Sequence, residues 1–408
     1  MRDGWREVPL GEIVDINPET VQGLADRLIR YIDLSSVSAG RGVDPSALAE
    51  VPLSEAPGRA RRLVRHGDVL VATVRPYLRG FGVVPPALDG QIASTAFAVL
   101  RARTALTLPG FVWLLVRTDA FVDGLMARAT GSNYPAVRPA DVAAQPVPLP
   151  PLAEQRRIVD LIAAVDGATS GSRRLREAVV GAQSAVFDRF VEGIEAGLVV
   201  SLGSIAEVVS GVTKDEKRQQ SDRLIEVPYL RVANVQRGYL DLAEMTTIRV
   251  EPARAEKLRL RAGDILFNEG GDRDKLGRGW VWEDQVADCI HQNHVLRARL
   301  STADFDPWFV SIWGNSGFGR RWFELNGSQT TNLASLNLST LRDFPIPAVL
   351  LAEQRRVVDL WIAFDSISKR ARDVELVTSA LRATLVADLL LGDHEIPSSY
   401  DRFLAGVA

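Results

Sequence analysis

Ala-Glu-Gln-Arg-Arg, at residues 153–157, occurs a second time at residues 352–356, an offset of 199 residues. Other short strings recur in the same order at offsets between 192 and 199: Leu-Gly at 10–11 and 202–203, Gly-Asp-[Val/Ile]-Leu at 67–70 and 263–266, Val-Leu-Arg-Ala-Arg at 99–103 and 295–299, and Gly-Ser at 131–132 and 327–328. Repeats that keep both order and spacing indicate internal duplication. The chain is therefore predicted to be two tandem copies of a unit of about 195 residues.

Each copy of the motif opens a segment in which apolar residues recur every three or four positions. Such a stripe on a long helix is typical of a coiled-coil seam, and Pro150 and Pro151 are typical of a helix start. Two long helices, 151–196 and 350–391, are predicted to pair antiparallel; in the alternative, each packs only on its own globular part. The predicted pairing residues are Ile158, Ile162, Val165, Val179, Val186, Val357, Trp361, Phe364, Leu381 and Leu385.

The rest of each copy mixes short β-rich runs with Gly and Pro turns and one short helical pattern. The predicted fold class is α+β: two tandem α/β domains, 1–150 and 197–349, separated by two long antiparallel coiled-coil helices in a pseudo-two-fold internal repeat. A C-terminal tail is expected over 392–408.

Composition excludes several kinds of site. Lys+Arg 48 against Asp+Glu 51 gives a net charge of −3, which shows no global basic excess but leaves room for a locally basic face. The single cysteine, Cys289, excludes an intramolecular disulfide and a multi-cysteine zinc site, and fits a cytoplasmic protein. Since no run approaches 18 apolar residues and four histidines lack metal-ligand spacing, neither a membrane span nor a metal site is expected.

Catalytic motifs are also lacking in the sequence. There is no phosphate-binding loop, no Gly-x-Gly-x-x-Gly between a strand and a helix, and no Asn/Asp-Pro-Pro-Tyr/Phe motif of DNA amino-methyltransferases. An acidic cluster, Glu269, Asp272 and Asp274 beside Lys275, suggests a metal-dependent nuclease as an alternative. Because the matching stretch of the first copy, residues 73–79, carries no acid, a variable recognition loop is the simpler interpretation. No catalytic residue and no cofactor are predicted.

The candidate functional residues are polar side chains of the loops that follow the shared framework strings. The framework agrees between the copies while these residues differ, as expected if two related domains read different targets. Arg, Asn and Gln can make two hydrogen bonds to one base edge, and Arg, Ser and Thr can reach phosphates. The candidates are Arg75, Tyr77, Arg79, Ser94, Thr95, Asn133, Tyr134 and Arg138 in the first copy and Asn268, Arg273, Lys275, Arg278, His291, Gln292, Asn293, Gln329, Thr330 and Asn332 in the second.

The Glu-Gln-Arg-Arg helices, the duplication and the length together resemble the specificity subunit of type I restriction-modification systems. The resemblance implies two target recognition domains that each read half of a bipartite, asymmetric site in double-stranded DNA. It implies a non-catalytic subunit whose helices dock two methyltransferase subunits, with restriction/translocase subunits as further partners. Adenosylmethionine, ATP and Mg²⁺ would be bound by those partners.

Three other classes compete with this interpretation. One is the specificity subunit of a related combined restriction enzyme or of another phage-defence system, which neighbouring genes would distinguish. The second is an active nuclease or methyltransferase, disfavoured by the missing motifs. The third is a plain coiled-coil scaffold, which would not need two large, loop-rich domains.

Overall fold

The structure is a computed structural model, which describes residues 4–22, 25–38, 42–192, 199–213, 223–271, 275–329, 334–392 and 394–401. The predicted candidates Arg273, Thr330 and Asn332 lie outside these residues, as do Asp272 and Asp274 of the acidic cluster. The chain divides into two compact units. The first comprises Met1–Ser172 with Asp373–Ala408, and the second comprises Arg173–Arg372.

The first unit contains short strands joined by loops and 3-10 turns. They are β1 (Arg6–Pro9), β2 (Val14–Ile16), β3 (Leu28–Ile32), β4 (Val37–Ser38), β5 (Gly42–Val43), β6 (Glu50–Pro52), β7 (Ala60–Leu63), β8 (Val69–Ala72), β9 (Phe81–Val83), β10 (Ile92–Ser94), β11 (Phe97–Ala102) and β12 (Pro146–Leu149). One sheet has the antiparallel order β2-β11-β8-β9, and another has the order β6-β3-β10-β7 with β3 and β10 parallel. β1 pairs with β12, and β4 with β5.

The first unit has three short helices, α1 (Pro109–Val116), α2 (Asp119–Met126) and α3 (Pro139–Ala143), of which α1 packs on strands β8 and β11 of the antiparallel sheet. Pro109 stands in the first turn of α1, where a missing N–H removes no helical bond. Phe111 of α1 and Phe97 of β11 are fully buried in one apolar core. The first long helix, α4 (Leu152–Glu192), begins directly after the Pro-Pro pair.

The second unit repeats this plan. Its strands are β13 (Val199–Ser201), β14 (Ala206–Ser210), β15 (Ile225–Leu230), β16 (Val235–Gln236), β17 (Tyr239–Leu240), β18 (Thr246–Val250), β19 (Ile265–Asn268), β20 (Gly270–Gly271), β21 (Gly279–Val281), β22 (Ile290–His291), β23 (Val295–Leu300), β24 (Ser328–Gln329), β25 (Ala334–Ser335) and β26 (Pro345–Pro347). Its helices are α5 (Leu202–Ile205), α6 (Pro252–Leu258), α7 (Pro307–Asn315), α8 (Gly317–Asn326), α9 (Leu338–Arg342) and the second long helix, α10 (Leu351–Leu391).

Sheet topology confirms the duplication. The order β14-β23-β19-β21 corresponds to β2-β11-β8-β9, and the parallel pair β15-β22 corresponds to β3-β10. The pair β13-β26 corresponds to β1-β12. Phe267, Phe309, Phe323 and Phe344 fill the core of the second unit. Each unit therefore has its own hydrophobic core behind an equivalent sheet.

The strand register corrects one part of the repeat alignment. Leu70 lies opposite Val99, whereas the matching Leu266 lies opposite Arg297. Strands β11 and β23 are therefore equivalent at an offset of 198 rather than 196, so Arg101 corresponds to Arg299. A shift of two residues keeps every side chain on the same face of the sheet, which is why the repeated letters concealed it.

The corrected register reveals an ion pair shared by both units. The Arg101 guanidinium donates Nε to Asp68 Oδ1 at 2.9 Å and Nη2 to Oδ2 at 2.8 Å. Arg299 donates the same two atoms to Asp264, both at 2.7 Å. Each carboxylate also accepts a backbone N–H, from Arg65 or Arg261, at 2.8 Å. Asp68 and Asp264, the aspartates of the repeated Gly-Asp strings, thus fix the sheet of each unit.

The predicted long helices are confirmed, and they pair with opposite polarity. In the first unit, Asp166 of α4 pairs with Arg382 of α10 at 2.5 Å, and Thr169 donates a hydrogen bond to Thr378 at 2.8 Å. In the second unit, the Phe187 ring meets the Trp361 ring edge-on at 4.9 Å. Higher residue numbers on α4 thus meet lower numbers on α10.

The contacts made by the seam differ in part from the predicted stripe. Ile158 and Ile162 are buried, but in the core of the first unit beside its sheet, so α4 packs on its own domain as well as on α10. Leu381 and Val186 are 46% and 40% exposed, and Val186 lines a cleft together with Val357, Trp361 and Phe364 of α10. Leu381 is displaced because Thr378, Arg382 and Leu385 occupy the inward positions, at steps of four and three. Val165 and Val179 are buried; Val357, Trp361, Phe364 and Leu385 are half-buried.

Candidate functional site

Two loops of the first unit meet to form a polar and aromatic surface. Val74 pairs with Ala136 in an isolated β-bridge, and the Arg75 N–H donates to the Pro135 carbonyl at 2.7 Å. The Arg75 guanidinium lies over the Tyr134 ring, 4.2 Å from its centroid, in a cation–π contact. The structure thus brings together candidates that are 59 residues apart in the sequence.

Residues 75–79, in the first of these loops, form a tight turn. Arg75 and Arg79, at its two ends, have φ of 49° and 51°, in the left-handed region that non-glycine residues rarely adopt. Pro76–Leu78 forms a single 3-10 turn between them. On this turn Tyr77 and Leu78 are 47% and 54% exposed. The sequence reasoning missed Leu78, since an apolar residue in a loop carries no polar signal.

Of the other candidates in the first unit, two form ion pairs within the unit and two are exposed. Arg79 donates Nη1 to the Arg117 carbonyl at 2.7 Å and forms an ion pair with Asp119, so its guanidinium turns towards α1 and α2. Arg138 forms an ion pair with Asp141 at 3.0 Å while its side chain stays 82% exposed. Asn133 and Thr95 are exposed. These exposed residues remain available for contacts outside the chain.

Three of the predicted candidates are buried in the structure. Ser94 is 3% exposed, and Asn268 and His291 have no exposed surface. Asn268 donates Nδ2 to the Val235 carbonyl at 2.8 Å, and His291 Nδ1 lies 2.6 Å from the Val295 carbonyl. With so little exposed surface, these three residues lie in the interior of the fold. They hold loops in place from within.

A polar group of the second unit stays at the surface. Glu269 accepts from His294 Nδ1 at 2.8 Å, and Asn293 Nδ2 lies 3.2 Å from His294 Nε2. Gln292 is half-buried and accepts the Val232 N–H at 3.3 Å. His294 was not among the predicted candidates.

The remaining candidates of the second unit are less fully described. Lys275 and Arg278 are half-buried, and Arg278 donates Nη2 to the Val232 carbonyl at 3.4 Å. The side chain of Gln329 lies outside the described residues. Within the described part of the chain, no group of three or more His, Cys, Asp or Glu residues could hold a metal ion.

No family model matches the chain. The EcoKI type I specificity subunit of Escherichia coli K12 is 22% identical over 320 residues, 73% of this chain and 68% of that protein. The HindI specificity subunit of Haemophilus influenzae is 21% identical over 193 residues, 43% of this chain and 42% of that protein.

Solved structures extend the likeness to nearly the whole chain. The HsdS subunit of Thermoanaerobacter tengcongensis is 24% identical with a TM-score of 0.53, covering 97% of this chain and 98% of its own. A chain from a structure on complex assembly and conformational transition of the type I R-M system is 25% identical with a TM-score of 0.59, covering 96% and 98%. This chain resembles type I specificity subunits in sequence and in fold. The resemblance predicted from the motif, the duplication and the length is confirmed.

The repeated motif of this type I specificity subunit-like chain has a structural role in each unit. Gln155 is fully buried: it accepts from Thr107 Oγ1 and the Leu108 N–H, both at 3.0 Å, and donates to the Leu106 and Pro150 carbonyls. Gln354 makes the equivalent contacts with Asp306, Asp304 and Val349, at 2.8 to 2.9 Å. The glutamine of the motif therefore fixes each long helix to the loop before α1 or α7.

No helix among the residues described is both long and apolar enough to cross a membrane. Cys289, 1% exposed, has its thiol pKa raised to about 12 by burial, so the thiol stays protonated at neutral pH.

Buried His291 makes stability depend on pH. Burial, and then the positive charge of Arg297, lowers its pKa to about 4 from an ordinary value of 6.5. The unfolded chain therefore binds this proton more tightly, so the stabilisation is complete above pH 6.5 and is lost as pH falls through 4. We expect the second unit to lose about 3 kcal/mol between these values.

Denaturant unfolding at pH 7, 5.5 and 4 measures this loss, with His291→Gln as the non-titrating control. The variant should start less stable at pH 7 but fall less steeply on acidification. Equal slopes for the two proteins would show that His291 does not titrate in this window.

Proposed function

We propose that this chain is the DNA-specificity subunit of a type I restriction-modification complex, and that each unit reads one half of a bipartite, asymmetric site. The observation that carries the proposal is the duplicated sheet framework whose loop side chains differ. In the first unit Arg75 lies over Tyr134 and Tyr77 is exposed on the same turn as Arg75, whereas the second unit carries Gln292 and Asn293. Likeness to specificity subunits over nearly the whole chain supports it.

The proposed subunit has no catalysis of its own. It directs an adenine methyltransferase, and a restriction/translocase where one is present, to the site that it binds. Adenosylmethionine, ATP and Mg²⁺ belong to those partners in this proposal, and the complex works in the cytoplasm. The net charge of −3 accords with a subunit whose partners supply part of the phosphate contact.

Exposed apolar side chains of α10 are the proposed docking surface for two methyltransferase subunits. Leu360 and Ile367 in the second unit, and Val374, Val377 and Leu381 in the first, are each more than 40% exposed. They recur at steps of three, four and seven, so they form one stripe on the helix. Large apolar side chains grouped in this way are typical of an interaction surface.

Methylation mapping tests the function. The chain is co-expressed with the methyltransferase encoded beside it, the complex is purified, and methylated adenines are mapped across the genome. We expect one bipartite sequence. Replacing residues 1–150 by the corresponding domain of a related subunit should change one half and leave the other intact. A methylated sequence unaffected by that replacement would contradict the proposal.

Arg75→Ala should relax base preference within one half-site only. A guanidinium that makes two hydrogen bonds to one base contributes about 1–3 kcal/mol of discrimination, roughly a 5- to 150-fold preference. Methylation kinetics on oligonucleotides with single-base changes measure the loss. Arg75→Lys keeps the charge but not the planar fork, and should show the same relaxation with better overall binding. If Arg75→Ala instead weakens binding to all sequences and lowers its salt dependence, Arg75 contacts a phosphate.

A further inference from the structure

A small cavity of about 140 Å³ lies in the first unit. Its apolar lining includes Phe81 and Trp113, and its charged lining consists of Arg79, Arg117 and Arg382. These arginines come from the 75–79 loop, the end of α1 and α10, so folding of the unit brings them together. The cavity volume is several times the roughly 30 Å³ that one water molecule occupies. We call this space the arginine cavity.

Carboxylates do not balance the three charges of the arginine cavity. Arg79 pairs with Asp119, which is itself 86% exposed, and Arg382 pairs with Asp166. Arg117 has no ion pair with a carboxylate in the described part of the chain. Its guanidinium lies over the Trp113 ring at 4.9 Å from the centroid. Among the described residues, Arg117 is therefore without a carboxylate at ion-pair distance, and Asp166 acts on it only through its nearby charge.

The local environment destabilises the charged groups of Arg117 and Arg382. Burial, and then the charge of Arg382, lowers the pKa of Arg117, which means that its charged form is destabilised here. The Nη2 atom of Arg382 is buried and, among the described residues, has no hydrogen-bond acceptor. A buried donor on a charged group that lacks an acceptor loses its hydration without replacement. An anion in the cavity would relieve both costs.

The second unit does not reproduce these charges. At the offset of 198 residues set by β9 and β21, Gly277 replaces Arg79 and Asn315 replaces Arg117. Asn315 is 7% exposed and donates Nδ2 to the Gly279 carbonyl at 2.8 Å. The arginine cluster is therefore an addition to the shared framework rather than a part of it.

We propose that the arginine cavity binds one phosphate-type oxyanion, either as free phosphate or as a phosphate group of the DNA backbone. Guanidinium groups present planar pairs of N–H donors that match the oxygens of phosphate, and such charge-assisted hydrogen bonds are short and strong. The proposal does not depend on the proposed function, because free phosphate can be tested without DNA.

Thermal unfolding of the full chain tests the site. Inorganic phosphate is titrated against chloride at matched ionic strength, and we expect the melting temperature of the first unit to rise by about 3 °C at roughly ten times Kd. Arg117→Gln should abolish the rise, whereas the control Arg6→Gln, an exposed arginine outside the cavity, should retain it. Equal melting temperatures in phosphate and chloride would overturn the proposal, as would a phosphate effect that survives in Arg117→Gln.

A second variant and a competition experiment also test the arginine cavity. Arg117→Lys keeps the charge, so it substitutes for a glutamine variant that does not fold, and it should bind phosphate at least several-fold more weakly than wild type. Competition then identifies the source of the anion in the assembled complex. If a DNA phosphate occupies the cavity, phosphate weakens DNA binding more than chloride does at equal ionic strength, and only when Arg117 is present. If phosphate stabilises the chain but leaves DNA binding unchanged, the cavity holds the free ion.

Discussion

Replacing Gln155 by alanine is expected to lower the free energy of unfolding of the first unit by about 4 kcal/mol. The substitution leaves the Thr107 hydroxyl, the Leu108 N–H and the carbonyls of Leu106 and Pro150 without their present partner. Because Gln155 and Thr107 have no exposed surface, water cannot readily replace the lost hydrogen bonds. Each buried polar group left unpaired costs about 1–3 kcal/mol.

Denaturant unfolding combined with hydrogen exchange measures the effect. Protection should fall first in residues 104–108 and in the opening turns of α4. Arg156→Ala is the matched control, since Arg156 is the exposed neighbour of Gln155 on the same helix and should change stability by no more than about 0.5 kcal/mol. Gln354→Ala should repeat the result in the second unit. If Gln155→Ala behaves like Arg156→Ala, the amide does not anchor the helix.

The repeated Glu-Gln-Arg-Arg motif shows which features can be predicted from the sequence and which cannot. Identical Glu-Gln-Arg-Arg strings identified the duplication and the helix starts, and the predicted helices, 151–196 and 350–391, contain α4 and α10 as the structure has them. The role of the glutamine could not be inferred, because its partners lie 47 to 49 residues upstream in the loop before α1. Long-range hydrogen bonds leave no periodic signal.

The periodicity of apolar residues predicted that the long helices exist, but not which face of each helix packs against the other. The apolar pattern of the second long helix predicts that Leu381 lies in the seam. The structure instead places Thr378 and Arg382 inward, where Thr169 and Asp166 provide a hydroxyl and a carboxylate. Polar residues that satisfy one another can occupy a seam, and their partners are known only once the helices are paired.

The burial of two polar candidates in the strands could not be predicted for a related reason. Asn268 ends β19, and His291 belongs to a two-residue strand that is too short for alternation to reveal its buried face. Polar residues are mostly exposed, so exposure was the reasonable expectation. Asn268 is buried instead, because its side-chain amide finds a hydrogen-bond acceptor that is distant in the sequence, the Val235 carbonyl.

Asp264→Ala is expected to lower the free energy of unfolding of the second unit by about 4 kcal/mol, because it leaves a partly buried arginine without its carboxylate. Asp264 is 1% exposed and accepts two hydrogen bonds from Arg299 and one from the Arg261 N–H. The same region already holds Arg297, whose side chain is 2% exposed, and buried His291. Removing Asp264 leaves Glu207, which pairs with Arg297 and whose side chain is 62% exposed, to offset the repulsion between Arg297 and Arg299.

Asp68→Ala provides the matched comparison in the first unit and should cost less, about 2 kcal/mol. Arg101 keeps a second carboxylate, since it also forms an ion pair with Glu19. The Arg65 and Arg101 hydrogen bonds lower the Glu19 pKa to about 2, so this acceptor stays ionised at neutral pH. At the Arg101 position, Val99 rather than an arginine occupies the neighbouring site that Arg297 fills in the second unit.

Denaturant unfolding monitored by hydrogen exchange separates the two units and therefore measures each loss where it occurs. The double variant Asp264→Ala/Arg299→Ala should recover part of the loss caused by Asp264→Ala alone, because removing both members of a pair leaves no unpaired charge. Equal costs for Asp68→Ala and Asp264→Ala would show that Glu19 does not compensate for Asp68. A double variant less stable than Asp264→Ala would show that Arg299 stabilises the sheet through packing of its side chain rather than through its charge, since the stem of a long arginine covers apolar surface of its own.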